Sequence, residues 1–300
     1  MNILIPNQSI AFKNSSISIT VKREDLIHPF ISGNKYRKLK YNIEEAKRVN
    51  AASLLTFGGA FSNHIAAVAY AGKEYGLKTI GIIRGEELGL KPDLNPTLKF
   101  AETCGMNLKF VSREDYRKKA DTNFIDGLRS DLGDFYLLPE GGTNDLAVKG
   151  CEEILQPDDF NFNYVCCAVG TGGTISGLIN ASKIHQKILG FPALKGDFLQ
   201  GDIRKFANQE NWKLITDYHF GGYGKIKPEL ISFINKFKAD YNIPLDPIYT
   251  GKMMFGLFDL IEKGFFPKDS QILVIHTGGL QGITGVNAML KRKSQPLIEI

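Results

Sequence analysis

Short apolar runs rich in β-branched residues alternate with segments of helical pattern, and this alternation constrains the fold more than any other feature of the chain. Strands that alternate with helices imply βαβ units and a mostly parallel sheet. We therefore predict an α/β fold with helices flanking the sheets. The predicted strands are 53–57, 79–83, 108–111, 135–138, 164–169 and 272–276, and the predicted helices include 44–51, 63–76 and 174–186.

Composition excludes several classes of protein. The chain has 300 residues and 43% hydrophobic residues, enough for a sizeable core. Its 37 basic and 32 acidic residues are interleaved, and no run of one charge is longer than three residues, as in Arg117-Lys118-Lys119, so we expect no nucleic-acid and no membrane partner. No apolar run approaches the roughly 18 residues that span a bilayer, and we expect a cytoplasmic protein.

Cysteine and histidine spacing argues against disulfides and metals. The four cysteines form no C-x-x-C pair and are expected to be reduced, buried thiols, and the five histidines show no metal-ligand spacing, so no metal site is predicted. The cysteines are Cys104, Cys151, Cys166 and Cys167.

Four predicted strands end in turns rich in glycine and hydroxyl residues. Ligands of open α/β sheets bind outside the carboxyl ends of the strands, where helix N-termini converge. A ligand site is therefore expected where these turns meet. They are residues 58–63, 141–144, 170–174 and 277–279.

The third of these turns has the form of a phosphate cradle. In YVCCAVGTGGTISG a strand, a glycine loop and a helix follow one another, so backbone N–H groups and the positive end of the helix can face an anion. The alternative is a tight packing turn. A dinucleotide fingerprint would need glycine at Ile175, and a Walker A loop would need a lysine that the segment lacks.

Lys35 follows Ser-Gly-Asn at the predicted start of a helix. A lysine that forms a Schiff base with pyridoxal 5′-phosphate needs a depressed pKa and a position near the cofactor's aldehyde. The alternative is a solvated lysine on the exposed face of the helix. Spacing alone leaves both possibilities open.

Five ordered segments carry a resemblance to a known family. They are KREDLIHPFISGNKYRKLKY, TFGGAFSNHIAAVAYAGKEYGL, LPEGGTND, AVGTGGTISGL and YTGKMMFGL…HTGGLQG. In this order they resemble the 1-aminocyclopropane-1-carboxylate deaminase and D-cysteine desulfhydrase family, pyridoxal phosphate enzymes of fold type II with a tryptophan synthase β-like fold.

The resemblance implies two interleaved α/β domains with the cofactor between them. The smaller domain would be residues 48–146, inserted into a larger domain made of 1–47 and 147–300. The resemblance also implies a homodimer that acts on a small amino-acid substrate.

Site residues are implied by the same motifs. Lys35 would form the Schiff base, and Lys38 would help neutralise the phosphate. Ser62 would be the active-site serine, although serine is also favoured as a helix N-cap, and Asn63 would bond the cofactor's phenolic oxygen. Tyr223 and Tyr249 would orient the substrate or donate protons. The phosphate loop would comprise Gly170, Thr171, Gly172, Gly173 and Thr174.

Two positions help to separate activities within the family. Deaminases have Glu and Leu where this chain has Thr250 and Thr277, and desulfhydrases have a small hydroxyl residue and Thr. A hydroxyl leaves the pyridine nitrogen unprotonated and the electron sink weaker, which suffices for β-elimination. The resemblance thus favours conversion of D-cysteine to sulfide, pyruvate and ammonia. The alternatives are 1-aminocyclopropane-1-carboxylate deamination, a D-serine or threonine dehydratase, a racemase, a sulfhydrylase and a non-catalytic pyridoxal phosphate-binding protein.

Overall fold

Two sheets flanked by helices form the protein. The computed structural model describes residues 4–12, 15–90 and 95–300. The larger sheet has six strands in the order β1-β2-β10-β7-β8-β9, and the smaller has four in the order β5-β4-β3-β6. The larger sheet comprises β1 (Asn7–Ile10), β2 (Ser18–Lys22), β7 (Tyr164–Val169), β8 (Lys187–Pro192), β9 (Trp212–Leu214) and β10 (Gln271–Ile275).

The smaller sheet lies in the middle of the chain. Its strands pair in parallel, as do all neighbours in the larger sheet except β1 and β2. All six residues of β3 and all six of β7 are buried, as expected for parallel strands that are covered on both faces. The smaller sheet comprises β3 (Ser53–Gly58), β4 (Lys78–Arg84), β5 (Met106–Val111) and β6 (Tyr136–Leu138).

Eleven α-helices connect and cover the strands in the described part of the chain. They are α1 (Asn34–Arg48), α2 (Asn63–Tyr75), α3 (Pro96–Thr103), α4 (Arg113–Arg117), α5 (Thr122–Leu132), α6 (Asp145–Glu152), α7 (Gly173–Ala181), α8 (Phe198–Arg204), α9 (Pro228–Tyr241), α10 (Thr250–Glu262) and α11 (Gly282–Arg292).

The α/β prediction and all six predicted strands are confirmed, with strand ends that differ from the prediction by at most two residues. Helix α2 ends at Tyr75, and its C-cap Gly76 has a left-handed φ of 69°. The helix predicted over 174–186 was too long. It ends at Ala181, because Ser182 turns to an extended conformation and its backbone N–H closes the last turn on Leu178 and Ile179.

The domain boundaries stay a prediction. Residues 53–138 build the smaller sheet, but α1 contributes Leu39, Ile43 and Ala46 to the same apolar cluster as Leu54 of β3. By packing, α1 therefore belongs partly to the smaller sheet.

The cysteine prediction is correct in part. All four cysteines are free, and three of them are buried, whereas Cys104 is half-buried. No helix among the described residues is long and apolar enough to span a bilayer, and those residues contain no cluster of His, Cys, Asp and Glu suited to a metal ion.

Candidate active site

A cavity of about 690 Å³ lies at the carboxyl ends of both sheets. All four glycine-rich turns predicted from the sequence contribute to its wall, because parallel strands bring their carboxyl ends to one edge. The residues from these turns are Gly59, Ser62, Asn63, Gly141, Gly170, Thr171, Gly172, Thr174, Thr277, Gly278 and Gly279.

Lys35 lies in the cavity wall, not on an exposed helix face. It is the second residue of α1, whose N-cap is Gly33. Burial, together with the neighbouring Lys38 ammonium, lowers the pKa of Lys35 to about 7. A large fraction of this amine is therefore neutral near pH 7, the form that attacks an aldehyde.

Lys38 lies one helical turn further and faces the phosphate loop. Its Nζ is 2.9 Å from the Gly141 carbonyl oxygen, 3.0 Å from Thr143 Oγ1 and 3.5 Å from Thr171 Oγ1. Lys38 is 2% exposed, and no carboxylate of the described residues forms an ion pair with it. A buried ammonium with only neutral partners leaves a positive charge that an anion can neutralise.

The phosphate loop connects β7 to α7. Thr174 Oγ1 accepts a hydrogen bond of 2.7 Å from Asn34 Nδ2, which ties the loop to the start of α1. Thr171 and Thr143 hydroxyls are 2.6 Å apart. Gly173 lies behind the wall, where an added Cβ would be 2.7 Å from Thr143 Oγ1. Gly173 thus allows close packing, whereas Gly170, Thr171, Gly172 and Thr174 line the cavity.

Ser62 and Asn63 begin α2. Ser62 is the N-cap, with Oγ accepting from Ile65 N at 3.3 Å, and it also lines the cavity, so the two roles weighed for it are compatible. Asn63 Oδ1 accepts from Gln281 Nε2 at 3.1 Å. Its amide nitrogen lies 2.7 Å from where a Cβ on Gly279 would be, so the Asn63 side chain packs against the turn after β10.

Tyr223 and Tyr249 line the cavity next to each other. Their rings are 6.2 Å apart in an edge-to-face arrangement. Burial raises the pKa of Tyr249 well above its usual value, so it stays a phenol donor. Tyr223 is 47% exposed and lies in a loop that Lys252 holds through hydrogen bonds of 3.0 and 2.9 Å to the carbonyls of His219 and Gly222.

Only one of the two threonines predicted to lie near the cofactor's ring lines the cavity. Thr277 lines the cavity. Thr250 does not reach it, because Thr250 is fully buried and its hydroxyl donates to Asp246 Oδ1 at 2.8 Å while accepting from Asp246 N at 2.9 Å. Thr250 therefore fixes the start of α10, and of the two positions only Thr277 lines the cavity.

Two residues near the site were not singled out from the sequence. His64 lines the cavity, and its Nε2 lies 2.9 Å from Thr56 Oγ1. That hydroxyl donates to the Leu138 carbonyl, and burial lowers the pKa of His64 well below its usual value. Asp246 is buried and accepts from three backbone N–H groups at the start of α10. A single histidine or aspartate gives no sequence signal for such roles.

These residues fit pyridoxal 5′-phosphate. Lys35 supplies an amine of lowered pKa, and Lys38 and the start of the nine-residue helix α7 supply positive charge beside hydroxyl groups. A two-sheet α/β fold with this site defines the fold type II class of pyridoxal phosphate enzymes. The chain matches the model of the family described as pyridoxal-phosphate dependent enzyme over residues 4–278, and it belongs to that family.

Relatives and solved structures agree with this assignment. The chain is 32% identical over 289 residues to a putative 1-aminocyclopropane-1-carboxylate deaminase of Thermotoga maritima, covering 89% of this chain and 90% of the relative. It is 32% identical over 292 residues to a mitochondrial bifunctional D-cysteine desulfhydrase/1-aminocyclopropane-1-carboxylate deaminase of Arabidopsis thaliana, covering 88% and 72%.

A crystal structure of an ACC deaminase homologue superimposes with a TM-score of 0.84 at 28% identity, covering 97% of this chain and 95% of the other. An O-acetylserine dependent cystathionine β-synthase of Helicobacter pylori, with a TM-score of 0.65 at 17% identity, shares the fold alone. The predicted family, fold and cofactor are thereby confirmed.

Proposed function

We propose that this enzyme catalyses β-elimination from a small D-amino acid, with D-cysteine as substrate and sulfide, pyruvate and ammonia as products. Pyridoxal phosphate, when bound, withdraws electrons from the substrate's Cα so that its proton and the β-substituent can leave. The observation that carries the proposal is Thr277, which lines the cavity at a position where the resemblance places leucine in deaminases.

The charges around the cavity support the same proposal. Its wall contains two carboxylates among the described residues, and both have partners: Glu140 accepts from Tyr116 at 2.7 Å, and Asp202 accepts from Lys205 at 2.6 Å. The described wall residues thus offer no carboxylate without a partner to a pyridine nitrogen. A weak electron sink suits loss of a thiol after α-proton removal better than opening of a cyclopropane ring, which has no α-proton.

Each residue has a proposed role. Lys35 bonds to the cofactor's aldehyde, and Lys38 with the loop residues 170–174 holds its phosphate. Lys35 or Ser62 takes the α-proton, since both lie in the wall. Asn63 donates to the phenolic oxygen. The Tyr223 and Tyr249 phenols orient the substrate and donate a proton to the leaving group, which Tyr249 can do because it remains protonated.

A panel of four compounds tests the substrate. D-Cysteine, D-serine, β-chloro-D-alanine and 1-aminocyclopropane-1-carboxylate are supplied in turn, and pyruvate, sulfide and 2-oxobutanoate are measured. We expect pyruvate and sulfide from D-cysteine with the highest kcat/KM. Formation of 2-oxobutanoate with no sulfide would instead favour the second candidate, deamination of 1-aminocyclopropane-1-carboxylate, after which the Thermotoga maritima relative is named.

A matched pair of variants tests whether D-cysteine turnover depends on the Thr277 hydroxyl, with a variant of Thr250 as the control. Thr277→Leu should lower D-cysteine turnover more than Thr277→Ser, because only serine keeps the hydroxyl at the wall. Thr250→Ser, which keeps the hydrogen bonds to Asp246, is the control away from the cavity. Equal effects of leucine and serine at 277 would remove the support that the hydroxyl gives.

The homodimer and the cytoplasmic location stay predictions. Light scattering of the purified enzyme tests the homodimer.

A further inference from the structure

Arg84 is a cavity-lining cation for which the proposed chemistry has no role. It is the last residue of β4, which pairs with β3, the strand that leads into the Ser62 turn. Its Nη2 lies 3.6 Å from the position of a Cβ on Gly59. The guanidinium therefore extends over the start of the turn that carries Ser62.

A compact cluster surrounds Arg84. The Arg84 guanidinium lies 5.6 Å from the centre of the Tyr116 ring, and the Lys119 ammonium lies 5.3 Å from it. The Tyr116 hydroxyl donates to Glu140 at 2.7 Å, and Lys119 lies 3.4 Å from the same carboxylate. Tyr116 is 3% exposed, so the ring is a fixed platform under two cations.

The charges of this cluster do not balance. Two cations share one ring and one carboxylate, which leaves a net charge of one positive unit, and no ion pair of Arg84 exists among the described residues. Arg84 is exposed and Lys119 is 33% exposed, so water screens their repulsion, and the excess positive charge at the cavity wall attracts an anion. Lys119 has that anion in Glu140, and Arg84 does not.

The other cations of the cavity have assigned partners. In the proposed function, Lys35 bonds to the cofactor's aldehyde and Lys38 holds its phosphate. Arg84 is thus the remaining cation that faces the cavity without an anion. Guanidinium groups form paired hydrogen bonds with carboxylates, a geometry that ammonium groups do not reproduce.

We propose that Arg84, supported by Tyr116 and Lys119, is an anion subsite that binds a carboxylate carried on the substrate's side chain beyond the β-carbon. The inference rests on the proposed β-elimination and names the substrate class: D-amino acids whose leaving group is an anionic thiol substituent. The product thiol would carry the carboxylate away.

Tyr223, one of the proposed proton donors, lines the same cavity as Arg84. Burial raises the pKa of the Tyr223 phenol, and the Arg84 guanidinium opposes that rise. A substrate side chain held by Arg84 would lie in the cavity that Ser62 and Tyr223 also line.

S-Carboxymethyl-D-cysteine and S-carbamoylmethyl-D-cysteine test the subsite, because they have nearly the same size and differ in charge. In each, the α-proton is removed, the Cβ–S bond breaks with its electrons going to sulfur, and water releases pyruvate and ammonia with mercaptoacetate or its amide. The measurements are kcat/KM for pyruvate formation and the calorimetric affinity of the holoenzyme for both compounds.

The wild-type holoenzyme should prefer the carboxylate by about tenfold, the value of one charge-assisted hydrogen bond. Arg84→Gln should reduce that ratio to about one. Glu140→Gln should increase it, because it removes the competing negative charge. The control is Arg113→Gln, an exposed arginine outside the cavity, which should keep the wild-type ratio.

The subsite would be overturned if the wild type did not prefer the carboxymethyl compound over the carbamoylmethyl compound. It would also be overturned if Arg84→Gln kept the wild-type preference. β-Chloro-D-alanine separates this failure from failure of the proposed function, because chloride carries no carboxylate to Arg84. If β-chloro-D-alanine yields no pyruvate, β-elimination is wrong, and the calorimetric ratio alone then decides whether Arg84 binds the carboxylate.

Discussion

The carbonyl oxygen of Thr277 lies where any side chain on Gly33 would begin. An ideal Cβ at Gly33 would be 1.9 Å from that oxygen, and Gly33 has a φ of 61°. The same oxygen accepts a hydrogen bond from Asn34 N at 3.3 Å. This contact joins the start of α1, which carries Lys35, to the turn after β10, which contains Thr277.

Gly33→Ala should therefore abolish cofactor attachment and destabilise the fold by at least about 2 kcal/mol, because backbone must move at a position that also favours glycine. Urea unfolding and cofactor content measure both effects. The control is Gly127→Ala, an exposed glycine within α5 with open space around it, which should stabilise the chain by about 0.5–1 kcal/mol. Similar stability of both variants would contradict the close contact.

The sequence predicted the central features of this site because they have local signals. Alternating strands and helices predicted the carboxyl-end cavity, and the glycine-rich turns marked where its wall would form. Strands β1, β2, β8 and β9 were missed because they are short, lie towards the sheet edges or contain glycine and proline, as β8 does at Gly190 and Pro192. Their pairing depends on distant partners that a single sequence does not reveal.

The sequence also did not predict which partners some side chains contact. The motif placed Thr250 beside the cofactor, but the buried Asp246 carboxylate, four residues earlier, takes up its hydroxyl. The Arg84 and Tyr116 contact joins the end of β4 to α4, 32 residues later, and neither residue has a local pattern that predicts it.

Lys38→Met should weaken cofactor affinity by roughly ten- to a hundredfold, since it removes one charge-assisted contact to a phosphate. Fluorescence titration with pyridoxal phosphate measures this, and inorganic phosphate should compete less well in the variant than in the wild type. Lys40→Met removes a lysine of the same helix that pairs with Glu153 outside the cavity and serves as the control. Equal affinity of the two variants would show that Lys38 does not contact the phosphate.

Stability of the cofactor-free protein should rise with pH between about 7 and 10.5 through Lys35. Its pKa is lowered from the usual 10.5 to about 7 in the folded chain, so the unfolded chain binds more protons across this window. Below pH 7 both states are protonated and the full cost of the buried charge remains. Urea unfolding should show that the free energy of unfolding increases less from pH 7 to pH 9 in Lys35→Met than in the wild type. An undiminished gain in that variant would contradict the lowered pKa.

Lys252→Met should impair catalysis by releasing the loop that carries Tyr223. The ammonium bonds two loop carbonyls at 3.0 and 2.9 Å, and methionine keeps the buried stem but loses both donors. We expect kcat for D-cysteine to fall at least about tenfold while cofactor affinity stays near wild type, and Lys252→Arg should recover part of the loss. Loss of cofactor affinity in parallel with kcat would indicate a general structural defect instead.

The covalent attachment of the cofactor at Lys35 is the central claim, and borohydride reduction tests it most directly. The holoenzyme is reduced, digested and analysed by peptide mass. We predict a pyridoxyl group on the peptide that contains Lys35, with loss of the visible absorption band, and no labelling in Lys35→Met. A pyridoxyl group on Lys38, Lys252 or another lysine, or no labelled peptide from a protein with a visible band, would contradict the account.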